Sequence, residues 1–168
     1  MSATVITLTN SKGFAVTTTS QGGVIVGIKL PNGPDKDQGY PGEVEVIATY
    51  TVTEDNEICL EYCATTDAPT PINLTNHCYF NLAGKITGAT THNILEVYTN
   101  QPCVQLYQGG YLDGSYNGLD GKPILKYTGL CLETQKHPDA INQPNFPSTL
   151  VRPGEKYYSK TVWKFTSE

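Results

Sequence analysis

The stretch Glu43-Val44-Glu45-Val46-Ile47-Ala48-Thr49-Tyr50-Thr51-Val52 decides how the rest of the chain is read. Val44, Val46, Ala48, Tyr50 and Val52 fall on one side of an extended backbone, and Glu43, Glu45, Thr49 and Thr51 on the other. A period of two is the signature of a strand with one buried and one solvated face. Glu54-Asp55-Asn56 supplies a turn, after which Ile58, Leu60, Tyr62 and Ala64 resume the apolar face. The two runs predict an antiparallel hairpin covered on one side only.

Outward from this hairpin the same kind of element recurs. Val5 to Thr9 and Phe14 to Thr19 are β-branched runs joined by Asn10-Ser11-Lys12-Gly13, and Val24 to Leu30 follows Gly22-Gly23. Pro31 to Gly39 is turn-rich and carries no core residue. Downstream, strands are predicted at Ile94 to Thr99, Val104 to Tyr107, Gly129 to Thr134 and Thr161 to Thr166. They are punctuated by Gly109-Gly110, Asp113-Gly114, Asp120-Gly121 and Arg152-Pro153-Gly154. No window shows a helical stripe, and the 16 Gly and 11 Pro oppose one, because each costs a helix interior about 1 to 3 kcal/mol. The expectation is an all-β chain, residues 1–168 as a single domain, built as an antiparallel sandwich or barrel.

Composition narrows the function classes. With 38% hydrophobic and 16% charged residues the chain is too apolar for disorder. A net charge of −5 on only 11 Lys plus Arg lacks the phosphate-neutralising footprint of a nucleic-acid binder. No run approaches the roughly 20 apolar residues of a membrane span, and the opening residues show no leader pattern. Cys59, Cys63, Cys78, Cys103 and Cys131 form no CxxC pair, which predicts small buried thiols in a reducing, cytoplasmic setting.

Candidate chemistry is sparse. His77 lies in Pro71-Ile72-Asn73-Leu74-Thr75-Asn76-His77-Cys78-Tyr79-Phe80-Asn81-Leu82-Ala83-Gly84, where polar and apolar residues alternate. Polar groups against a buried face need partners or cost about 1 to 3 kcal/mol each. Two readings stand: a satisfied internal network, or a His presented into a polar cleft. Glu133, beside Leu130 and Leu132, reads on spacing as the solvent side of a strand. Asn142 to Ser148 reads as a stiff turn, and His92 and His137 as exposed loop histidines. The 11 Tyr suit sugar rings but are also ordinary strand residues.

At these residues the sequence resembles the aldose 1-epimerase (galactose mutarotase) family. PINLTNHCYFNLAG is similar to the family signature around its catalytic His. LEVYTNQPCVQLYQGGYLDG and YTGLCLETQKHPDAINQPNFPSTLVRPGEKY resemble its C-terminal section, ITLTNSKGFAVTTTSQGGVIVGIKLP its opening strands, and QGYPGEVEVIATYTV a mid-chain section. The resemblance implies an antiparallel β-sandwich of the galactose mutarotase type (a supersandwich) that interconverts the anomers of free aldohexoses such as galactose or glucose, with no metal or cofactor. It assigns Glu133 as general base on the anomeric hydroxyl, His77 as general acid on the ring oxygen, and Gln105 as a sugar contact. Base and acid on opposite sides of a hemiacetal would each contribute typically 10²- to 10⁴-fold.

The departures from the pattern lie near 32–38 and 84–92, where family sections are absent. Missing with them are an Asn-Arg pair, a second His and an Asp that hold the sugar in the family. The resemblance therefore implies weakened activity. Its alternative is a catalytically silent, carbohydrate-binding or interaction relative. Excised strands would also leave sheet edges open to self-association.

Overall fold

The computed structural model describes residues 5–19, 27–30, 40–83, 93–118 and 121–167. The strands are β1 (Val5–Thr9), β2 (Ala15–Thr19), β3 (Gly27–Leu30), β4 (Val44–Val52), β5 (Glu57–Thr66), β6 (Thr70–Pro71), β7 (Asn93–Thr99), β8 (Cys103–Tyr107), β9 (Asp113–Asn117), β10 (Pro123–Leu125), β11 (Cys131–Gln135), β12 (Leu150–Val151) and β13 (Tyr157–Ser167). One turn of 3-10 helix, Ala140–Asn142, follows Asp139 in the left-handed region at φ 57°.

The predicted hairpin is the centre of the molecule. β4 and β5 pair antiparallel from Val44 opposite Thr66 to Val52 opposite Ile58. They sit inside a five-stranded antiparallel sheet ordered β3-β4-β5-β13-β7. Val44, Val46 and Ala48 are buried while Glu45, Ile47 and Thr49 are exposed, so the period-two reading holds through the first half of the strand. β13 alternates in the same way, with Tyr157, Ser159, Thr161 and Trp163 turned inward. Two apolar clusters result. Val44, Val46, Ala64, Ile72, Val151 and Tyr157 form one, and Ala48, Leu60 and Trp163 the other. Leu60 and Trp163 are 1% and 2% exposed, and each such burial is worth roughly 1.5 to 3 kcal/mol.

A second layer covers this face. It consists of β6 paired with β12, β8 paired with β11, and the extended segment 72–80, here called the strap. Phe80 of the strap packs on Trp163 and Phe165 at ring separations of 5.9 and 6.1 Å. Thr134 of β11 hydrogen-bonds Thr161 of β13. The layer is sewn to the sheet by both apolar and polar contacts. At its corner, a Cβ on Gly42 would fall within 2.7 Å of Thr66 Oγ1, Thr70 Oγ1 and the Ala68 carbonyl. Only glycine fits there.

Sequence and structure differ at β9 and β10, in a stretch where Asp113-Gly114 and Asp120-Gly121 read as loop punctuation. The chain instead pairs Asn117 with Pro123 and Asp113 with Leu125, across a turn in which Gly121 has φ 76°. Most of the hairpin's residues are exposed, so backbone pairing forms it without an apolar alternation to announce it. The seams near 32–38 and 84–92 lie outside the described residues, as do Val24 to Val26 and His92. Among the described residues no helix is long and apolar enough to cross a membrane.

Candidate active site

The strap is held by tyrosines rising from the inner face of the sheet. Tyr157 Oη lies 3.2 Å from the Leu74 amide nitrogen and 3.3 Å from its carbonyl oxygen. Tyr62 Oη donates to the Thr75 carbonyl at 3.2 Å, and Asn76 Nδ2 donates to Tyr50 Oη at 3.1 Å. Burial first, and the neighbouring Tyr50 phenol after it, push the Tyr62 phenol well above its ordinary range, so it stays a neutral donor.

The asparagines finish the tethering. Asn73 acts as a surrogate backbone unit beside β11. Its Nδ2 donates to the Lys136 carbonyl at 3.1 Å, and its Oδ1 accepts from the Lys136 amide at 2.8 Å. Asn76 Oδ1 accepts from the Cys78 amide and Asn81 Oδ1 from the Ala83 amide. Of the two sequence readings, the network is what the amides form; His77 stands at its end on an exposed face and not in a cleft.

Phe80 and Leu130 exchange backbone hydrogen bonds of 2.8 and 2.9 Å, which sets the strap antiparallel to β11. Counting back from that bridge places Tyr79 opposite Cys131 and His77 opposite Glu133. On the far side of β11, Glu133 pairs with Gln105 and Cys131 with Tyr107. Directly opposed residues share a face of an antiparallel pair. Two transverse rows follow, His77–Glu133–Gln105 and Tyr79–Cys131–Tyr107. Phe80 and Thr134 point toward the sheet, so both rows occupy the opposite face of the layer.

His77 Nε2 lies 3.3 Å from Glu133 Oε1. The imidazole is 52% exposed, whereas the carboxylate is 13% exposed. Glu133 is thus on the outward face of its strand, as its spacing suggested, but its neighbours cover most of it. The two groups do not stand on opposite sides of a gap the width of a sugar, as expected from ring-opening chemistry. Cross-strand register places them side by side. The His77 ring contacts Tyr79 at 5.1 Å and Tyr107 at 6.0 Å, and Tyr111 stacks on Tyr107 at 6.2 Å.

Tyr79 and Tyr107 meet at 6.1 Å across Cys131, which has no exposed surface. Burial, then Glu133 and Cys78, raise the Cys131 thiol to about 11, so it holds its proton at neutral pH. Gln105 is exposed and its Nε2 donates to the Leu106 carbonyl at 3.1 Å, so its amide is not hydrogen-bonded to the acid–base pair. A cleft of 390 Å³ opens elsewhere, lined in part by Phe14, Asn56, Asn81, Asn93 and Phe165, and includes neither His77 nor Glu133.

Tyr79, Tyr107 and Cys131 join the site without having been singled out from sequence. Each lies two residues from a predicted site residue on its own segment, and that spacing is the signal that identifies a shared strand face. Two other expectations are corrected. His137 is half-buried and stacked on Phe146 at 4.5 Å, because the 3-10 turn folds the following loop back over it. Cys78 is exposed and Cys63 and Cys103 are half-buried, so only Cys59 and Cys131 are buried thiols, although all five cysteines are free.

A proton donor and a carboxylate side by side on an open face, ringed by tyrosines, can exchange protons with two neighbouring atoms of one ligand. The model of the aldose 1-epimerase family matches residues 32–94 and 84–164. The chain belongs to the aldose 1-epimerase family. Among curated members, galactose mutarotase from Mus musculus is 33% identical over 208 residues, covering 79% of this chain and 60% of its own length. The aldose 1-epimerase of Escherichia coli is 26% identical over 215 residues, covering 80% and 62%. The chain therefore spans about three-fifths of these relatives. The aldose epimerase homologue from C. elegans superposes with a TM-score of 0.72 at 22% identity, covering 84% of this chain and 68% of the other. Galactose 1-epimerase from Lactobacillus acidophilus gives 0.68 at 18%, covering 98% and 66%. At those identities the superpositions establish the fold, a galactose mutarotase-type antiparallel β-sandwich.

Proposed function

We propose that this member of the family interconverts the α and β anomers of free hexoses such as galactose or glucose in the cytoplasm, more slowly than its longer relatives. The observation that carries the proposal is the 3.3 Å approach of His77 Nε2 to Glu133 Oε1 on an open, tyrosine-lined face. The anomeric and ring oxygens of a hemiacetal are bonded to one carbon. A sugar lying over the pair, rather than between its members, meets a base and an acid spaced for two such neighbouring atoms.

Glu133 takes the proton of the anomeric hydroxyl, whose electron pair forms the aldehyde C=O. The bond from C1 to the ring oxygen breaks, and that oxygen takes the proton of the His77 imidazolium. Rotation about C1–C2 presents the other carbonyl face. The reverse transfers then close the ring as the other anomer and restore both groups. Each contributes typically 10²- to 10⁴-fold. Gln105, next in the row, is the proposed sugar contact.

Two features support the lowered rate. The alignment to the mouse relative runs over 208 residues but uses only 79% of this chain, and the family match divides where its two parts overlap, at 84–94. The first favours missing internal segments, and the second favours one near 84–92. Each charged hydrogen bond lost with them is worth about 1.5 to 3 kcal/mol of binding, and about 1.4 kcal/mol is a factor of ten in rate. The same features favour the second reading, a silent sugar-binding relative.

Polarimetry on freshly dissolved α-galactose and α-glucose tests the proposal. Mutarotation above the buffer rate, lost in Glu133→Gln and in His77→Asn, is the expected result. A wild-type chain that adds nothing to the buffer rate overturns it, and a sugar-dependent rise in Tm in that protein establishes the binding relative instead.

A further inference from the structure

We propose that His77, Glu133 and Cys131 together form an inhibitory binding site for a zinc-like, thiophilic divalent cation. The inhibition rests on the epimerase reading of the same pair; the binding does not. The three residues offer one imidazole nitrogen, one carboxylate oxygen and one sulfur, all within 4.8 Å of one another. This is a borderline-soft donor set that suits zinc and disfavours magnesium and calcium.

The spacing matches as well. Tetrahedral zinc with N and O donors at about 2.0 to 2.1 Å holds those two atoms about 3.3 to 3.4 Å apart. The observed His77 Nε2 to Glu133 Oε1 separation is 3.3 Å. Sulfur at about 2.3 Å would stand about 3.5 Å from each, against the 4.8 Å within which the three donor atoms already lie.

The strand register explains why the donors converge. Cys131 and Glu133 are two residues apart on β11 and share a face, and His77 reaches the same face from the strap. The thiol gives its proton to solvent as the Zn–S bond forms. The dication works against burial and the Glu133 charge, the two largest of the influences that otherwise keep Cys131 protonated. The open side of the half-exposed His77 leaves the fourth position to water. A cation so bound occupies the His77 nitrogen and the Glu133 oxygen at once, so neither can exchange a proton with sugar.

The test uses the whole chain, freed of metal with EDTA, exchanged into chelator-free buffer and titrated with Co²⁺, then with Zn²⁺ as competitor. A near-ultraviolet thiolate-to-cobalt band should appear, be displaced by Zn²⁺, vanish in Cys131→Ser and persist in Cys63→Ser. His77→Ala should weaken Zn²⁺ by at least the roughly tenfold that even outer-shell losses cost. Absence of the band, its survival in Cys131→Ser, or unchanged affinity in His77→Ala overturns the site. If Cys131→Ser fails to fold, the variant at exposed His77 decides. Mutarotation is measured first in the metal-free protein. Where it is present, one equivalent of Zn²⁺ should abolish it and EDTA restore it; undiminished activity with zinc bound overturns the inhibition. A metal-free protein with no activity counts against the epimerase reading alone, and the cobalt spectra still decide the metal site.

Discussion

One phenol serves both backbone groups of one strap residue: Tyr157 Oη lies 3.2 Å from the Leu74 amide nitrogen and 3.3 Å from the Leu74 carbonyl oxygen. The partners are 83 residues apart in sequence, and Tyr157 is 3% exposed. Three residues further along the strap stands His77. The position of the imidazole is therefore set in part by a tyrosine on the opposite layer.

Tyr157→Phe keeps the packing and removes the hydroxyl, leaving both Leu74 groups without that partner. A loss of about 1 to 3 kcal/mol in unfolding free energy is expected, read from urea denaturation. In the folded variant the strap amides should exchange faster with D₂O, while those of β4 and β5 stay protected.

Asn73→Ala cuts the paired bonds to Lys136 that hold the strap against β11. The expected cost is about 1 to 2 kcal/mol in Tm-derived stability. In the proposed epimerase, kcat should fall more than KM rises, because the acid loses alignment with Glu133 while the sugar-facing groups remain. Asn73→Asp retains only the acceptor and should lie between the two.

Gly42→Ala places a methyl group within 2.7 Å of two threonine hydroxyls and a backbone carbonyl. The carbonyl cannot swing away as a flexible side chain would. A destabilisation of at least about 1 to 3 kcal/mol is expected from forced backbone movement. Gly121→Ala meets no neighbouring atom within 4 Å but occupies φ 76°, so it should cost roughly 1 kcal/mol, from backbone strain alone.

The Cys131 thiol is raised from 9.0 to about 11 by burial first and by Glu133 second. The folded state favours the neutral thiol more than the unfolded state does. Its contribution to stability is therefore complete below about pH 9 and is lost as the pH rises through about 11. Urea midpoints should fall across that window, and less steeply in Cys131→Ala. Iodoacetamide near pH 8, followed by peptide mass spectrometry, should modify Cys63 and Cys103 well before Cys131.

Much of the fold is legible in the chain itself because an amphipathic strand carries its own evidence. Val44, Val46 and Ala48 must face away from water, and their spacing allows only an extended backbone to do it. The same reasoning locates the runs that become β7, β8, β11 and β13. It fails at β9 and β10, whose mostly exposed residues pair through backbone alone, and at His137, whose burial comes from a loop folding back from Phe146. The resemblance marks His77 and Glu133, but their spacing along the chain says nothing about their separation in space.

Local chemistry, read in order, determined that this protein is built of antiparallel strands around one apolar face, since alternation is a property of neighbouring residues. The tertiary structure alone decided that an imidazole and a carboxylate 56 residues apart would touch. Their meeting depends on the register of the strap against β11, set at Phe80 and Leu130 and held by Tyr157, Tyr62 and Asn73. Register is a relation between distant segments: a slip of one residue would turn His77 to the opposite face.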